Sequence, residues 1–304
     1  MPYIGLSIPG TAPDRTSSTT IDFARRAEQA GVHSVWATDR IVDNTPDVFV
    51  TLGAVAATTS RVLIGTTVVL GVLRPPLLVA KAATTLDVLS GGRLILGLGV
   101  GSRPEDFAAT EVPIQQRGAR MDELVDICKL AWSGAPVKYH GKHHTIDIGP
   151  MRELPIQQPH PPVWFGGGAE AVLRRTARVG QGYIASTSSG PAGFRTAWAS
   201  IGRYCADSGR ALADITPAAL AYASVAADRE QAQQAMREHL LRSFGPARLA
   251  RGLGPMVGTP EDLLRGAREY FDAGVEVLIL GSVSADPRHL DMLCERVVPE
   301  IGRN

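Results

Sequence analysis

The feature that most constrains this chain is the alternation of short apolar runs with longer segments of helical period. Such alternation is typical of repeated βα units. It predicts eight strands, at residues 3–8, 34–37, 62–70, 94–98, 163–165, 182–185, 219–226 and 275–280. Because eight parallel strands can close on themselves, the sequence predicts an α/β protein with the (β/α)8 architecture of a TIM barrel.

The predicted helices fill the intervals between these strands. They are expected at residues 20–30, 48–58, 76–89, 120–132, 170–179, 193–207, 230–242, 261–272 and 287–298. Two insertions interrupt the alternation, one after the fourth strand at residues 102–118 and one before the fifth strand at residues 135–161. The first insertion is expected to cover a ligand, because the loops that follow the C-terminal ends of the strands form the active sites of such barrels. The second contains a predicted hairpin at residues 137–146. We expect residues 1–304 to form one domain.

Charge and cysteine content argue against several classes of partner. The chain has 31 Lys and Arg against 30 Asp and Glu, so it lacks the basic excess that binds nucleic acid or a membrane surface. Its longest apolar stretch, residues 62–73, is shorter than the roughly 20 residues of a membrane-spanning helix. Cys128, Cys205 and Cys294 are far apart, which favours core thiols over a disulfide framework. No signal peptide is recognisable, so we expect a cytoplasmic protein.

Glycines alternate along the end of the fourth predicted strand, at Gly97, Gly99 and Gly101. Glycines within a strand mark places where a ligand or another backbone approaches closely. A doubly wound dinucleotide-binding fold would instead need Gly-x-Gly-x-x-Gly opening a helix, with an acid ending the next strand. Arg103 and Pro104 occupy the place where that helix would begin. The fingerprint is therefore absent, and the barrel remains the favoured fold.

A second glycine-rich turn follows the fifth predicted strand. Residues 164–170 read Trp-Phe-Gly-Gly-Gly-Ala-Glu and lead directly into a helical pattern. Unpaired backbone N–H groups and the positive end of the helix dipole favour phosphate at such a position. A plain tight turn would use the same residues. The residues alone therefore leave both interpretations open.

Two groups of charged residues could be mistaken for catalytic groups. Asp39 and Arg40 end the second predicted strand, and an Asp beside an Arg is most often an ordinary ion pair. Glu105 and Asp106 are adjacent on a loop, so their side chains are expected to diverge. We expect these two acids to begin a helix or belong to a lid.

The histidines of the predicted hairpin are the only histidine cluster, His140, His143 and His144. Successive strand residues face opposite sides, whereas metal ligands must converge. A solvated hairpin is favoured, and no metal site is predicted.

Residues 86–93, Leu-Asp-Val-Leu-Ser-Gly-Gly-Arg, precede the glycine-rich strand end. This segment resembles the signature of the bacterial luciferase-like flavin and deazaflavin oxidoreductases. The resemblance continues to residues 257–261 and 273–276. It implies a (β/α)8 barrel, hydride transfer at a flavin-like ring, a small-molecule substrate and a homodimer. Residues 103–107 and the Thr38-Asp39 pair are most similar to the branch that uses coenzyme F420, which favours F420 over FMN.

The resemblance also implies a set of site residues. Matching positions for cofactor binding are Asp39, Thr67, Val68, Val100, Gly101, Ser102, Gly167, Gly168 and Ala169. By the same comparison, the bond between Thr67 and Val68 would be a non-prolyl cis peptide, and the cofactor's phosphate would lie at the turn 167–169. Catalytic roles would fall to Asp39, Arg40 and Ser102.

Two of these residues depart from the family pattern. Arg40 stands where F420-dependent relatives commonly have histidine, and a guanidinium cannot shuttle protons near neutral pH, so it should bind an anionic group or cofactor oxygens. Ser102 stands where sugar-phosphate dehydrogenases have a glutamate, and a hydroxyl is a poor general acid, which disfavours that activity. Two alternatives stay open. One is an FMN-dependent luciferase-like monooxygenase, and the other is a non-catalytic F420- or flavin-binding protein.

Overall fold

A computed structural model describes residues 2–12, 16 and 18–301. Its strands, in chain order, are β1 Tyr3–Ser7, β2 Ser34–Ala37, β3 Leu63–Thr66, β4 Leu94–Leu98, β5 Pro136–His140, β6 Thr145–Pro150, β7 Val163–Gly166, β8 Gly182–Ala185, β9 Thr216–Val225, β10 Val257–Gly258 and β11 Val277–Ser282. Eight of them form a closed parallel ring in the order β1, β2, β3, β4, β7, β8, β9 and β11, with β11 paired back to β1. The predicted (β/α)8 barrel is therefore confirmed.

Helices flank the ring. They are α1 Thr19–Gln29, α2 Val48–Thr58, α3 Pro76–Ser90, α4 Pro104–Ala109, α5 Arg117–Trp132, α6 Glu170–Val179, α7 Gly190–Ser208, α8 Arg229–Phe244, α9 Pro246–Leu249, α10 Pro260–Asp272, α11 Pro287–Met292 and α12 Val298–Ile301. The predicted last helix is interrupted by a π-helical turn at Leu293–Val297. Among the helices of the described residues, none combines the length and the apolar character needed to cross a bilayer.

The third predicted strand, residues 62–70, was wrong at its C-terminal end. Regular pairing stops at Thr66, and the peptide bond between Thr67 and Val68 is cis, as the resemblance implied. Beyond it, only an isolated bridge joins Val69 to Leu98. The chain then turns into a short 3₁₀ helix at Gly71–Leu73.

Both insertions are ordered. The first contains α4, which begins at Pro104 as the helix-start interpretation of Glu105 and Asp106 predicts. In the second, β5 and β6 pair antiparallel, which confirms the hairpin. Glu123 of α5 fixes the hairpin turn, since its carboxylate accepts hydrogen bonds of 2.7–3.1 Å from the backbone N–H groups of residues 142–144. Within residues 2–12, 16 and 18–301, no group of three His, Cys, Asp or Glu side chains is arranged to hold a metal ion.

Two tryptophans dominate the interior of the barrel. Trp36 and Trp164 lie with their ring centroids 5.5 Å apart, within a buried cluster that also contains Ile95, Ile184, Ala218, Val277 and Ile279. Side chains on the neighbouring strands would overlap the Trp36 ring at Gly5 and Gly65, so both positions leave room for it. The indole N–H donates to Ser34 Oγ at 2.8 Å, which satisfies the only polar atom of that side chain. This layer closes the barrel and forms the floor of the space above it.

Candidate active site at the mouth of the barrel

A cavity of about 580 Å³ opens above this floor. Its walls come from segments that follow the C-terminal ends of the strands, where barrel enzymes carry their active sites. The ten predicted site residues all line it, namely Asp39, Arg40, Thr67, Val68, Val100, Gly101, Ser102, Gly167, Gly168 and Ala169. The volume lies within the range of small-molecule and cofactor sites.

Val68 forms one wall and rests between Gly99, which follows β4, and Gly166 of β7. A Cβ at Gly166 would lie 2.6 Å from Val68 Cγ1, and a Cβ at Gly99 would overlap Val68 Cγ2. A Cβ at Gly97 would overlap the Thr66 carbonyl oxygen. Gly97 therefore makes room for the backbone of Thr66, and Gly99 makes room for the side chain of Val68.

The segment around the cis peptide is held from both sides. On one side, the Thr67 N–H donates to the Ala37 carbonyl at 2.8 Å. On the other, the Val69 N–H donates to the Gly97 carbonyl at 2.9 Å, and the Gly99 N–H donates to the Val69 carbonyl at 3.0 Å. Residues 67–69 are thus fixed between β2 and β4, with Val68 presented to the cavity.

The glycine turn lies on another wall, at the start of α6. Gly167 has a φ of 131°, which favours glycine, and its N–H donates to the Ile184 carbonyl at 3.2 Å. This amide is therefore not free for an anion, contrary to the expectation that the turn would use Gly167. The N–H groups of Gly168 and Ala169 have no acceptor among the described residues. These two amides and the N-terminus of α6 form the candidate anion site, which therefore lies at residues 168–169 rather than 167–169.

Asp39 lies buried beside the Val68 wall, and both of its carboxylate oxygens are occupied. Oδ1 accepts from Arg74 Nη2 at 2.9 Å, and Oδ2 accepts from the Leu70 N–H at 3.0 Å. Arg74 also pairs with Asp47 at 2.9 Å. Burial raises the pKa of the Asp39 carboxyl, while Arg74 and the Leu70 amide act in the opposite direction. The ion-pair partner is thus Arg74 rather than the adjacent Arg40, and this geometry suits a positioning residue better than a free acid or base.

Comparison with known proteins identifies the family of this fold. Residues 5–267 match the model of the luciferase-like monooxygenases. The chain belongs to the luciferase-like monooxygenase family. It is also similar to a protein of Kineococcus radiotolerans named F420-dependent glucose-6-phosphate dehydrogenase, with 36% identity over 178 residues. That match covers 56% of this chain and 52% of the relative, so the chain spans about half the length of that protein.

Solved structures of low sequence identity share the fold. The monooxygenase RslO1 from Streptomyces bottropensis superposes with a TM-score of 0.86 at 24% identity, covering 98% of this chain and 99% of that one. The coenzyme F420-dependent tetrahydromethanopterin reductase from Methanopyrus kandleri gives a TM-score of 0.84 at 21% identity, with coverages of 98% and 99%. At these identities the similarity describes the barrel of the luciferase-like family and nothing finer.

The two departures from the family pattern differ in their surroundings. Arg40 is half-buried in the cavity wall and has no ion-pair partner within the part of the chain that the structure describes. Burial lowers the pKa of its guanidinium, as does the charge of Arg103. Ser102 is exposed at the rim, and no described side chain hydrogen-bonds to its hydroxyl. Arg40 is therefore placed to meet an anion, whereas nothing activates Ser102 as an acid.

Several cavity residues of this luciferase-like chain were missed by sequence reasoning, namely Arg117, residues 186–188, Tyr222, Phe244, Arg248 and Arg251. Residues 186–188 directly follow β8, so the rule that barrel sites lie after strand ends could have found them. The arginines belong to no motif. They reach the cavity from helix starts and a loop whose positions depend on tertiary packing.

The charges around this cavity are unbalanced, although the whole chain has a formal net charge of only +1. A smaller side pocket adjoins the cavity between the ends of β1, β2, β9 and β11. The described charged residues that line the cavity or this side pocket are Arg40, Arg103, Arg117, Arg248, Arg251, Asp39 and Asp43. Both aspartates are already paired, Asp39 with Arg74 and Asp43 with Arg103 at 3.2 Å. The mouth is therefore suited to anionic ligands.

His239 of α8 lies buried behind Tyr222, with their ring centroids 4.5 Å apart. Neither ring nitrogen has a hydrogen-bond partner among the described residues. Burial lowers the pKa of this imidazole to about 4, below the ordinary value of 6.5. The ring therefore stays neutral at physiological pH and packs as a flat apolar surface behind Tyr222.

A pH dependence of stability follows from His239. As the pH falls below 6.5, the unfolded chain binds the proton first, so the contribution of neutral His239 is lost progressively down to about pH 4. The expected loss is about 3 kcal/mol. We expect His239→Leu to remove this part of the pH dependence in urea unfolding at pH 7.5 and 4.5. The matched control is His140→Gln on the exposed hairpin, which should follow the unmodified chain. Identical pH profiles for His239→Leu and the unmodified chain would contradict the assignment.

Proposed function

We propose that this chain is an F420-dependent oxidoreductase that transfers a hydride between coenzyme F420 and a small organic substrate. The observation that carries the proposal is the cavity at the barrel mouth, in which unpaired amides at a helix start lie on one wall and Val68 on another. Membership of the luciferase-like family supports it. So does the name of the Kineococcus radiotolerans relative, which specifies F420.

The residues present fit such a cofactor. Its phosphate would be held by the N–H groups of Gly168 and Ala169 at the start of α6. Arg117 would add a charge-assisted hydrogen bond to this phosphate. It lies close to α6, since the carbonyl of the next residue, Gly118, accepts a hydrogen bond of 3.0 Å from Arg175 of that helix. Thr67 and Val68 would support the ring from the side of β3. When bound, the deazaflavin supplies hydride transfer, and the protein supplies position and electrostatics.

The remaining proposed roles follow from the chain's own contacts. Asp39 would fix the segment that carries Val68, through the Leu70 amide. Ser102, with Val100 and Gly101, would border the ring and donate one hydrogen bond. Arg40 would bind an anionic oxygen. The proposal does not extend to glucose 6-phosphate, because Ser102 replaces the acid that the resemblance associates with sugar-phosphate dehydrogenation.

Titration of the purified protein with F420 tests the proposal, and FMN is titrated in parallel. We expect saturable quenching or enhancement of F420 fluorescence. Arg117→Gln should weaken F420 binding at least about tenfold, because a charge-assisted hydrogen bond contributes about 1.5–3 kcal/mol. The matched control is Arg120→Gln, which removes the same charge one turn along α5 and outside the cavity. Binding of FMN alone, with oxygen consumed during turnover, would favour the monooxygenase and overturn the proposal.

A further inference from the structure

A side pocket branches from the main cavity, between the ends of β1, β2, β9 and β11. The two spaces share the side chains of Thr38, Arg40, Leu220, Tyr222 and Phe244. The side pocket has a volume of about 30 Å³, whereas the main cavity has about 580 Å³. It can therefore admit one small terminal group of a ligand whose body lies in the main cavity.

Arg40 is the available cation of this pocket. Arg103, the other arginine that lines it, is already committed to Asp43 and to the Ser243 carbonyl at 2.5 Å. The charge of Asp106 also acts on Arg40, but Asp106 Oδ1 accepts the N–H groups of Ile41 and Val42 at 3.1 and 2.9 Å, and its buried Oδ2 has no hydrogen-bond partner among the described residues, Arg40 included. None of the described carboxylates forms an ion pair with Arg40. Its donors are therefore free for a ligand.

Tyr222 provides a second donor. Its ring is wedged against His239 and Phe244, with centroid distances of 4.5 and 5.7 Å. A Cβ at Gly281 would lie only 2.9 Å from Tyr222 Cδ1, so this glycine makes room for the ring on β9. The hydroxyl has no partner among the residues described. Burial raises the pKa of the phenol against the opposing effects of Arg40 and Arg103, so the hydroxyl keeps its proton.

We infer that the side pocket recognises a carboxylate of the substrate, with Arg40 and Tyr222 as its hydrogen-bond donors. The inference rests on the proposed function in one respect. The proposed function assigns the cofactor's anionic tail to the glycine turn on a different wall, which leaves Arg40 for the substrate. A planar guanidinium matches the two oxygens of a carboxylate. The small volume and the single available cation favour a carboxylate over a dianionic phosphate ester.

Benzoate and its neutral isostere benzamide test this assignment. Binding to the F420-loaded protein is followed by ligand-observed NMR, with inorganic phosphate as competitor. We expect benzoate to bind at least about tenfold more tightly than benzamide, a difference that one charge-assisted pair can supply. Arg40→Gln should abolish this preference, and Tyr222→Phe should reduce it by about threefold. Arg242→Gln, which removes a nearby exposed charge outside both cavities, should preserve it.

The outcomes separate this inference from the proposed function. Equal binding of benzoate and benzamide, an unchanged preference in Arg40→Gln, or displacement of benzoate by phosphate at lower concentration would each overturn the carboxylate site. Retained F420 binding shows that the Arg40→Gln variant is folded. If F420 does not bind, the same titration is made on the cofactor-free protein. A benzoate preference that depends on Arg40 would then support the side pocket while the F420 assignment fails.

Discussion

Gly99→Ala is expected to lose about 100-fold in affinity for F420 while the protein stays folded. The new methyl group would overlap Val68 Cγ2, and on the side of β7 Val68 Cγ1 already fills the space beside the Gly166 backbone, 2.6 Å from the position that a Cβ on that glycine would take. The side chain must therefore move into the cavity, where the proposed cofactor ring would lie. Such overpacking costs about 1–3 kcal/mol, and about 3 kcal/mol corresponds to about 100-fold in affinity.

A second substitution makes this prediction specific. Val68→Ala removes the methyl groups that clash, so the double variant Gly99→Ala, Val68→Ala should recover most of the affinity in a fluorescence titration. Gly53→Ala is the matched control, because a Cβ at this half-buried position of α2 meets nothing within 4 Å. It should leave F420 binding unchanged and raise the thermal midpoint slightly, because Ala is about 0.5–1 kcal/mol more favourable than Gly inside a helix. Unimpaired F420 binding by Gly99→Ala would show that Val68 does not border the ring.

The barrel was predicted from local patterns in the sequence, whereas the site residues were predicted from the resemblance to the luciferase-like family. Apolar periodicity indicates where the strands lie, and the alternating glycines at residues 97, 99 and 101 indicate close contacts with neighbouring groups. Which groups make those contacts is not a local property. Val68 meets Gly166 across 98 positions of the chain, a pairing that depends on the register of β3, β4 and β7.

Two errors have the same origin. Gly167 was expected to offer its amide to an anion, but the register of β8 places the Ile184 carbonyl within 3.2 Å of it. Asp39 was expected to pair with the adjacent Arg40 if it formed an ordinary ion pair, but Arg74 reaches it from a segment 35 residues away. In both cases a tertiary contact satisfied a polar group that the sequence left open. The arginines of the mouth were missed because no local pattern marks them.

Asp39→Asn is expected to reduce the free energy of unfolding by about 3 kcal/mol and to weaken F420 binding at least about tenfold. The carboxylate is fully buried, and its loss leaves the Arg74 guanidinium with Asp47 as its only carboxylate partner. The value lies at the lower end of the range for breaking a buried pair, because the Arg74 side chain is 23% exposed and keeps that second partner. The Asn amide group must also face either Arg74 or the Leu70 N–H, so one donor is left without an acceptor.

Asp47→Asn is the matched control for this change. It removes the other charge that pairs with Arg74, yet asparagine is as good an N-cap as aspartate for α2, and the Asp47 side chain is 40% exposed. An exposed ion pair contributes only about 0–1 kcal/mol, so this variant should unfold close to the unmodified chain and bind F420 normally. Urea unfolding and F420 titration measure the two effects separately. If Asp39 only stabilised the fold, Asp39→Asn would bind F420 with unchanged affinity at temperatures well below its unfolding transition. Weakened binding at such temperatures would instead mean that Asp39 acts through the Leu70 amide, which follows directly on the segment that carries Val68.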